Sequence, residues 1–270
     1  MTNYSVEDPA KVQGRDDVRL GQRNLGALRL ERVLRAIDDV QGAVLLLGCG
    51  AGRYARALQR EMPGNTIVGG DLSLTALKEA VGAGGGPHYL ALNAQQLPFP
   101  DGSFDAVVFL DLMEHVPDPD GMLTECRRVL TDDGVLHYFV PLEDEPGTFY
   151  RLLRHDKPIP IHRWKEQHVG HIQRFHRGDV LSRTWRAGFR PAETGYSFHL
   201  VGQIHDIVDY WHRERSAGGT GRLPLPWVSR LTRMAFLFTW RLSYLEDRLY
   251  GGAKFASGIH VTARTSAATQ

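Results

Sequence analysis

Short apolar runs, each bounded by glycine, proline or an acid, recur through the first half of the chain and alternate with segments patterned at helical intervals. Strands of a sheet covered on both faces read as continuous runs of this kind, because both sides of each strand are buried. They are expected near residues 44–47, 66–69, 88–91, 105–110 and 134–140, each followed by a helix or loop, which is the pattern of a parallel doubly wound sheet. Before Gln41, the residues Leu25, Leu28, Val33, Leu34 and Ile37 recur at roughly helical spacing and predict a helical lead-in.

The alternation lapses after Pro141. Glu143 to Arg177 is rich in His, Pro and Arg, a helix is expected from about Asp179 to Ala187, and Gly188-Phe189 opens a further strand. His199 to Gly252 is a second insertion, and Ile259, Val261 and Ala263 alternate through a last strand. The chain then divides into a helical lead-in (1–40), a nucleotide-binding core (41–142), a histidine-rich lid with a helix and the sixth strand (143–198), a helical cap insertion (199–252) and the last strand with its tail (253–270).

Within the cap insertion, Val228, Leu231, Ala235, Phe238, Leu242, Leu245 and Leu249 stand at helical spacing beside Trp227, Phe236 and Trp240. Arg222, Arg230, Arg233, Arg241 and Arg248, set against Glu246 and Asp247, give the same helix a basic face. Packing on the core or on a second subunit, which leaves a homodimer open, is the ordinary use of such a helix; contact with anionic headgroups at a membrane surface is the alternative.

The most informative stretch runs from Val44 through Gly48-Cys49-Gly50-Ala51-Gly52 to Tyr54, with Asp71 following about twenty residues later. Glycines at alternate positions between a strand and a helix let the backbone turn sharply and come close to a ligand, as at the nucleotide site of a Rossmann-type sheet. An acid at the end of the second strand can accept hydrogen bonds from both hydroxyls of a ribose. The turn reads Gly-x-Gly-x-Gly and lacks the wider Gly-x-Gly-x-x-Gly spacing that accommodates a pyrophosphate, and no Gly-x-x-x-x-Gly-Lys-Ser/Thr phosphate loop occurs in the sequence.

With these residues the chain resembles class I S-adenosylmethionine-dependent methyltransferases of the small-molecule type, similar to those of the ubiquinone and menaquinone pathways. The likeness extends through Asn93-Ala94-Gln95-Gln96-Leu97-Pro98-Phe99, Ser103-Phe104-Asp105-Ala106-Val107-Val108, Asp111-Leu112-Met113-Glu114-His115-Val116-Pro117-Asp118-Pro119 and Gly134-Val135-Leu136. It implies a Rossmann-like doubly wound sheet of seven strands with the last antiparallel, helical cap insertions, and S-adenosyl-L-methionine as cofactor with S-adenosyl-L-homocysteine as product. By the same likeness Gly48, Cys49, Gly50 and Gly52 flank the methionine part, Asp71 holds the ribose, Leu72 lies against the adenine, Asn93, Ala94 and Gln95 surround the base, and Asp111 begins the loop beneath the cofactor. One position departs from the family: Leu46 stands where an acid is usual, two residues before the first glycine.

Candidate chemistry gathers at two places. Glu114-His115 follows the fourth strand, where a base can deprotonate a hydroxyl as it attacks a sulfonium carbon. The set Asp111, Glu114 and His115 also looks like the acid-x-x-Glu-His arrangement of ubiquinone-pathway O-methyltransferases, which has been associated with a divalent cation; no metal ligand is assigned from this sequence. His155, His162, His168, His171 and His176 cluster in the lid, and His171 is the third catalytic candidate, with placement of the lid as its other reading. Glu114-His115-Val116-Pro117 also reads as an ordinary loop and helix cap. The aromatic cap suggests a lipophilic or aromatic small-molecule acceptor, methylated at oxygen in quinone or specialised metabolism. Carbon methylation and non-catalytic binding of the nucleoside are the alternatives.

Composition narrows this a little further. A formal charge of +1 removes any bulk electrostatic attraction to nucleic acid. Two cysteines, Cys49 and Cys126, make neither a disulfide framework nor a thiolate zinc site. Met1 to Gly14 lacks the basic region and apolar core of a secretory signal, and the longest apolar run, Met234 to Trp240, is short of a bilayer's thickness, so a cytoplasmic protein is expected.

Overall fold

The computed structural model describes residues 5, 7–9, 12–219 and 223–265, so Arg222 of the cap pattern lies outside the described residues. In chain order the elements are α1 (Leu25–Ala36), β1 (Ala43–Leu47), α2 (Arg53–Glu61), β2 (Thr66–Asp71), α3 (Leu74–Ala83), β3 (His88–Ala91) and β4 (Phe104–Leu110). They continue with α4 (Pro119–Val129), β5 (Leu130–Pro141), α5 (Phe149–Leu152), α6 (Ile161–Val169), α7 (Arg177–Arg186), β6 (Phe189–Ser197), α8 (Leu200–Ser216), α9 (Leu225–Tyr250) and β7 (Gly258–Thr265).

The seven strands form one sheet in the order β3-β2-β1-β4-β5-β7-β6. β7 runs antiparallel to both β5 and β6, and the remaining pairs are parallel. Alternate residues of β1 enter opposite cores: Leu45 and Leu47 pack with Val107, Phe109 and Tyr138, while Val44 and Leu46 pack with Val108 and with Leu30, Val33 and Ile37 of α1. Leu46, at the position where the family carries an acid, is therefore a core residue. Strand order reverses between β1 and β4, and the crevice at their carboxyl ends is where such sheets receive ligands.

The turn after β1 depends on its glycines. Gly50 has φ +55, and a Cβ there would stand 2.6 Å from the carbonyl oxygen of Gln13, whose carbonyl accepts the N–H of Ala51 at 2.8 Å. The segment before α1 is thereby pinned against the turn, and only a residue without a side chain leaves room for it.

Two expectations change with the structure. β5 begins at Leu130, earlier than the apolar run that predicts it, because Leu130 pairs with Phe104 ahead of a register shift. The cap helix is turned over relative to its apolar pattern: Val228, Thr232, Ser243 and Asp247 are the buried residues of α9, and Leu231, Phe238, Leu242, Leu245 and Leu249 are exposed. Its acids decide the orientation. Glu246 accepts the N–H groups of Val201 and Gly202, and Asp247 accepts those of Phe198 and His199, so both carboxylates cap the start of α8.

Asp247 also takes a hydrogen bond from His199 Nδ1 at 2.7 Å, with both side chains nearly inaccessible. Burial opposes the charge on His199, but the hydrogen bond and charge of Asp247 outweigh it and raise the pKa. The sign follows from linkage: this stabilisation is fully present below the ordinary histidine value of about 6.5 and is lost as pH rises through the higher folded value. His199→Gln is expected to lower unfolding free energy by about 3 kcal/mol at acidic pH, with the gap from wild type narrowing as pH is raised, measured by urea titration. Gly50→Ala is expected to cost about 1–3 kcal/mol from its backbone conformation alone, with a further loss from the approach to Gln13, read from the same titrations.

Candidate active site

A cavity of about 350 Å³ opens at the carboxyl ends of β1 and β4. Gly48, Cys49 and Gly50 line one side, and Asp111 and His115 line the floor. The lid contributes Tyr150, Lys165, His168 and His171, and α8 contributes Asp206, Tyr210 and Arg213. No residue of α9 is part of the wall. The aromatic helix from which a lipophilic acceptor is inferred thus does not touch the cavity, and its aromatic lining comes instead from Tyr150, Tyr210, Phe139 and Phe198.

The other expected cofactor residues form an open shelf beyond the turn. Gly52 caps α2, and Asp71 ends β2 with its Oδ2 accepting the N–H of Gly50 at 2.7 Å and its Oδ1 accepting that of Ser73 at 2.9 Å. Each oxygen keeps a second lone pair for a ligand hydroxyl. Leu72 is 59% exposed at the shelf. Past β3, Asn93 Oδ1 accepts the N–H of Gln95, Ala94 is half-buried, and Gln95 Oε1 accepts the N–H of Asp118. Cys49 is buried and its thiol pKa is pushed up by burial, so it is no nucleophile at neutral pH.

Asp111 takes a left-handed backbone conformation, φ +53, while its N–H donates to Phe139 at 3.1 Å. This turns its carboxylate toward Arg29 of α1, with which it is ion-paired. The Arg29 guanidinium lies 4.0 Å over the Phe139 ring, and its Nε is buried with no hydrogen-bond partner among the described residues. Sequence reasoning missed Arg29, which stands among other arginines of an amphipathic helix with no local mark.

Behind the floor, Glu114 is fully buried, and neither of its carboxyl oxygens has a hydrogen-bond partner among the described residues. Burial, then the charges of Asp111 and Glu143, push its pKa well above the usual carboxylate range. His115 Nδ1 donates to the carbonyl of Gly170 at 3.1 Å, which leaves Nε2 as the lone pair. Burial and the neighbouring His171 lower its pKa to about 4, so it is neutral near pH 7. The rings of His115 and His171 meet edge to face at 4.9 Å.

His171 is held from the other side by Glu143, whose Oε1 lies 2.5 Å from His171 Nδ1. Burial alone would raise the pKa of Glu143, but Lys165 and His171, with hydrogen bonds from His162 and His171, hold it well below the usual range. An ionised carboxylate only accepts, so the Nδ1 proton of His171 points at Glu143 and its Nε2 carries a lone pair. Lys165 Nζ bridges Glu143 at 3.2 Å and Asp206 at 2.9 Å, and Asp206 also accepts the hydroxyl proton of Tyr150. Of the five lid histidines, His171 and His168 reach the cavity, whereas His162 is buried on Glu143, His176 caps α7 and His155 is exposed.

A Glu114 oxygen and one nitrogen each from His115 and His171 lie within 4.8 Å of one another. The unpartnered carboxylate and the two lone pairs fit a divalent cation. The spacing of the lid histidines alone does not reveal this set, because only His171 belongs to the lid, and Glu114 and His115 come from the turn that follows β4.

The methyltransferase-domain family matches residues 45–138. Over 104 residues the chain is 38% identical to the ubiquinone/menaquinone biosynthesis C-methyltransferase UbiE of Desulfotalea psychrophila, covering 38% of this chain and 42% of that relative. It is 26% identical over 198 residues to the ubiquinone biosynthesis O-methyltransferase of Neisseria meningitidis, covering 69% of this chain and 80% of the relative. Among solved structures, the [4+2]-cyclase SpnF superposes with a TM-score of 0.58 at 20% identity, over 89% of this chain and 82% of that one. That last likeness concerns the fold alone. Residues 45–138 carry the methyltransferase domain, and the glycine turn with Asp71 and the seven-stranded sheet with β7 reversed are those of the class I S-adenosylmethionine-dependent methyltransferases.

Proposed function

We propose that the protein methylates a hydroxyl oxygen of an aromatic small molecule, with His171 as the general base and Glu143 as the group that holds it. The observation that carries this reading is the 2.5 Å contact between His171 Nδ1 and an ionised Glu143, which leaves the Nε2 lone pair for a substrate proton. His115, whose pKa is lowered to about 4, is a poor base near pH 7 and forms part of the floor. The O-methyltransferase relative aligns over 69% of the chain and the C-methyltransferase relative over 38%, which favours oxygen as the nucleophile. Phe139, Phe198, Tyr150 and Tyr210 give a ring-shaped acceptor its walls.

S-adenosylmethionine, when bound, supplies a methyl group on a positively charged sulfur. The turn N–H groups, Asp71, Leu72 and Asn93 to Gln95 receive its nucleoside, as the family likeness implies. Arg29 and Asp111 match the carboxylate and ammonium of its amino-acid end, and Asp111 takes the place of the acid missing at Leu46. His171 Nε2 would take the hydroxyl proton as the acceptor oxygen bonded to the methyl carbon, the C–S electron pair being left to the sulfur. Glu143 stabilises the resulting imidazolium, and the buried walls exclude water and hold oxygen and carbon in line. A divalent cation on Glu114, His115 and His171 would occupy that same Nε2 lone pair, so it would supply Lewis acidity to a bound oxygen in place of the base and not beside it.

Arg29→Leu and Asp111→Asn are each expected to weaken S-adenosylmethionine about 10- to 100-fold in calorimetry, the range for a charged hydrogen bond. Unchanged affinity in both would remove them from the cofactor site. His171→Gln is expected to lower kcat about 10²- to 10⁴-fold on a phenolic substrate while leaving cofactor affinity intact; Glu143→Gln should lower kcat with KM little changed. Labelled cofactor that binds yet methylates no phenol in a broad panel, or a product carrying the label on carbon, would overturn the oxygen assignment and leave the family membership standing.

A further inference from the structure

The cap helix α9 carries an unused surface on the side away from the cavity. From Trp227 to Leu249 apolar residues recur at steps of four, three, four, four, three and four. Each of them is between 49% and 66% exposed. Steps of four, three and four sum to an eleven-residue repeat, which departs little from the helix's own period, so the stripe runs along the axis instead of winding round it. At 1.5 Å per residue it extends for about 33 Å. A straight apolar line of this length suits a flat surface.

Charge selects the occupant. Arg230, Arg233 and Arg241 are exposed on the same helix, and none is ion-paired among the described residues. Both acids of α9, Glu246 and Asp247, are spent on the start of α8, so the outer face presents cations without carboxylates. Two copies of this face laid together would bring arginines onto arginines with nothing to neutralise them. The rings of Trp227 and Trp240 lie 5.9 Å beneath the guanidinium groups of Arg230 and Arg241. Apolar side chains below and arginines at the edge are what an in-plane helix needs at the boundary between acyl chains and anionic headgroups. No helix among the described residues is long and apolar enough to cross a membrane.

We propose that the outer face of α9 docks the protein reversibly on an anionic lipid surface, with the helix lying in the plane of the interface. The inference is independent of which atom is methylated. The test is sedimentation of the full chain with vesicles of equal parts phosphatidylglycerol and phosphatidylcholine, against phosphatidylcholine alone. Binding is expected to the anionic vesicles and to fall at least about tenfold as salt is raised from 50 mM to 500 mM, where screening shortens. The triple variant Leu231→Ser, Phe238→Ser, Leu245→Ser and the double variant Arg230→Glu, Arg241→Glu should each lose about tenfold in partitioning, with thermal midpoint and cofactor affinity unchanged. Failure of the wild-type chain to bind anionic vesicles at low salt, or equal binding by both variants, overturns the proposal. So does a wild-type dimer in light scattering that the triple variant dissociates.

Discussion

The upper half of this molecule is organised by one buried carboxylate. Glu143, at the exit of β5, is 2% exposed and receives His162 Nδ1, His171 Nδ1 and Lys165 Nζ. An ionised group so deep in the protein is tolerated only when opposite charge and hydrogen bonds surround it, and these come from α6 and from the irregular segment that follows. Satisfying Glu143 therefore folds the lid across the carboxyl ends of the strands. Lys165 carries the constraint one step further, because its second partner, Asp206, belongs to α8 and is itself bonded to Tyr150 of α5. The cavity roof thus joins a polar network to an apolar cluster of α5, α6 and α8, and Tyr150, Lys165, His171 and Asp206 of that network line the cavity.

The lower half obeys a different logic. There the geometry is made by backbone: glycines that turn after β1, an aspartate that ties the turn to β2, and a left-handed Asp111 that ends β4. Such devices are local, so their residue types and spacing mark them in the sequence, and β1 to β4 and the last strand fall where the apolar runs predict them, with only the start of β5 displaced. Glu143, Lys165 and Asp206 carry no comparable mark. Each is an ordinary charged residue in a segment without periodicity, and what makes it functional is a partner tens of residues away. Arg29 is illegible for the same reason: its position on α1 is explained by Asp111 and Phe139, which only the fold brings beneath it.

The inversion of α9 shows how a correct periodicity misleads about direction. The apolar side of an amphipathic helix ordinarily faces the core because burial of that area is the largest favourable term. Here Asp247 and Glu246 meet the unpaired N–H groups at the start of α8, and His199 completes the contact. A helix has one orientation at a time, so the polar side that satisfies those groups goes inward and the apolar stripe goes out. Periodicity identifies the two sides of the helix; the decision between them lies in four residues contributed by another element.

These two kinds of legibility explain why the cofactor is read more readily than the acceptor. The cofactor half rests on short-range backbone geometry, the glycine turn tied to Asp71 at the end of β2. The acceptor half rests on long-range charge pairs assembled from the lid and α8, the portions outside the family match at 45–138. In this chain the network around Glu143 directs the Nδ1 proton of His171 at the carboxylate, and the same network closes the cavity.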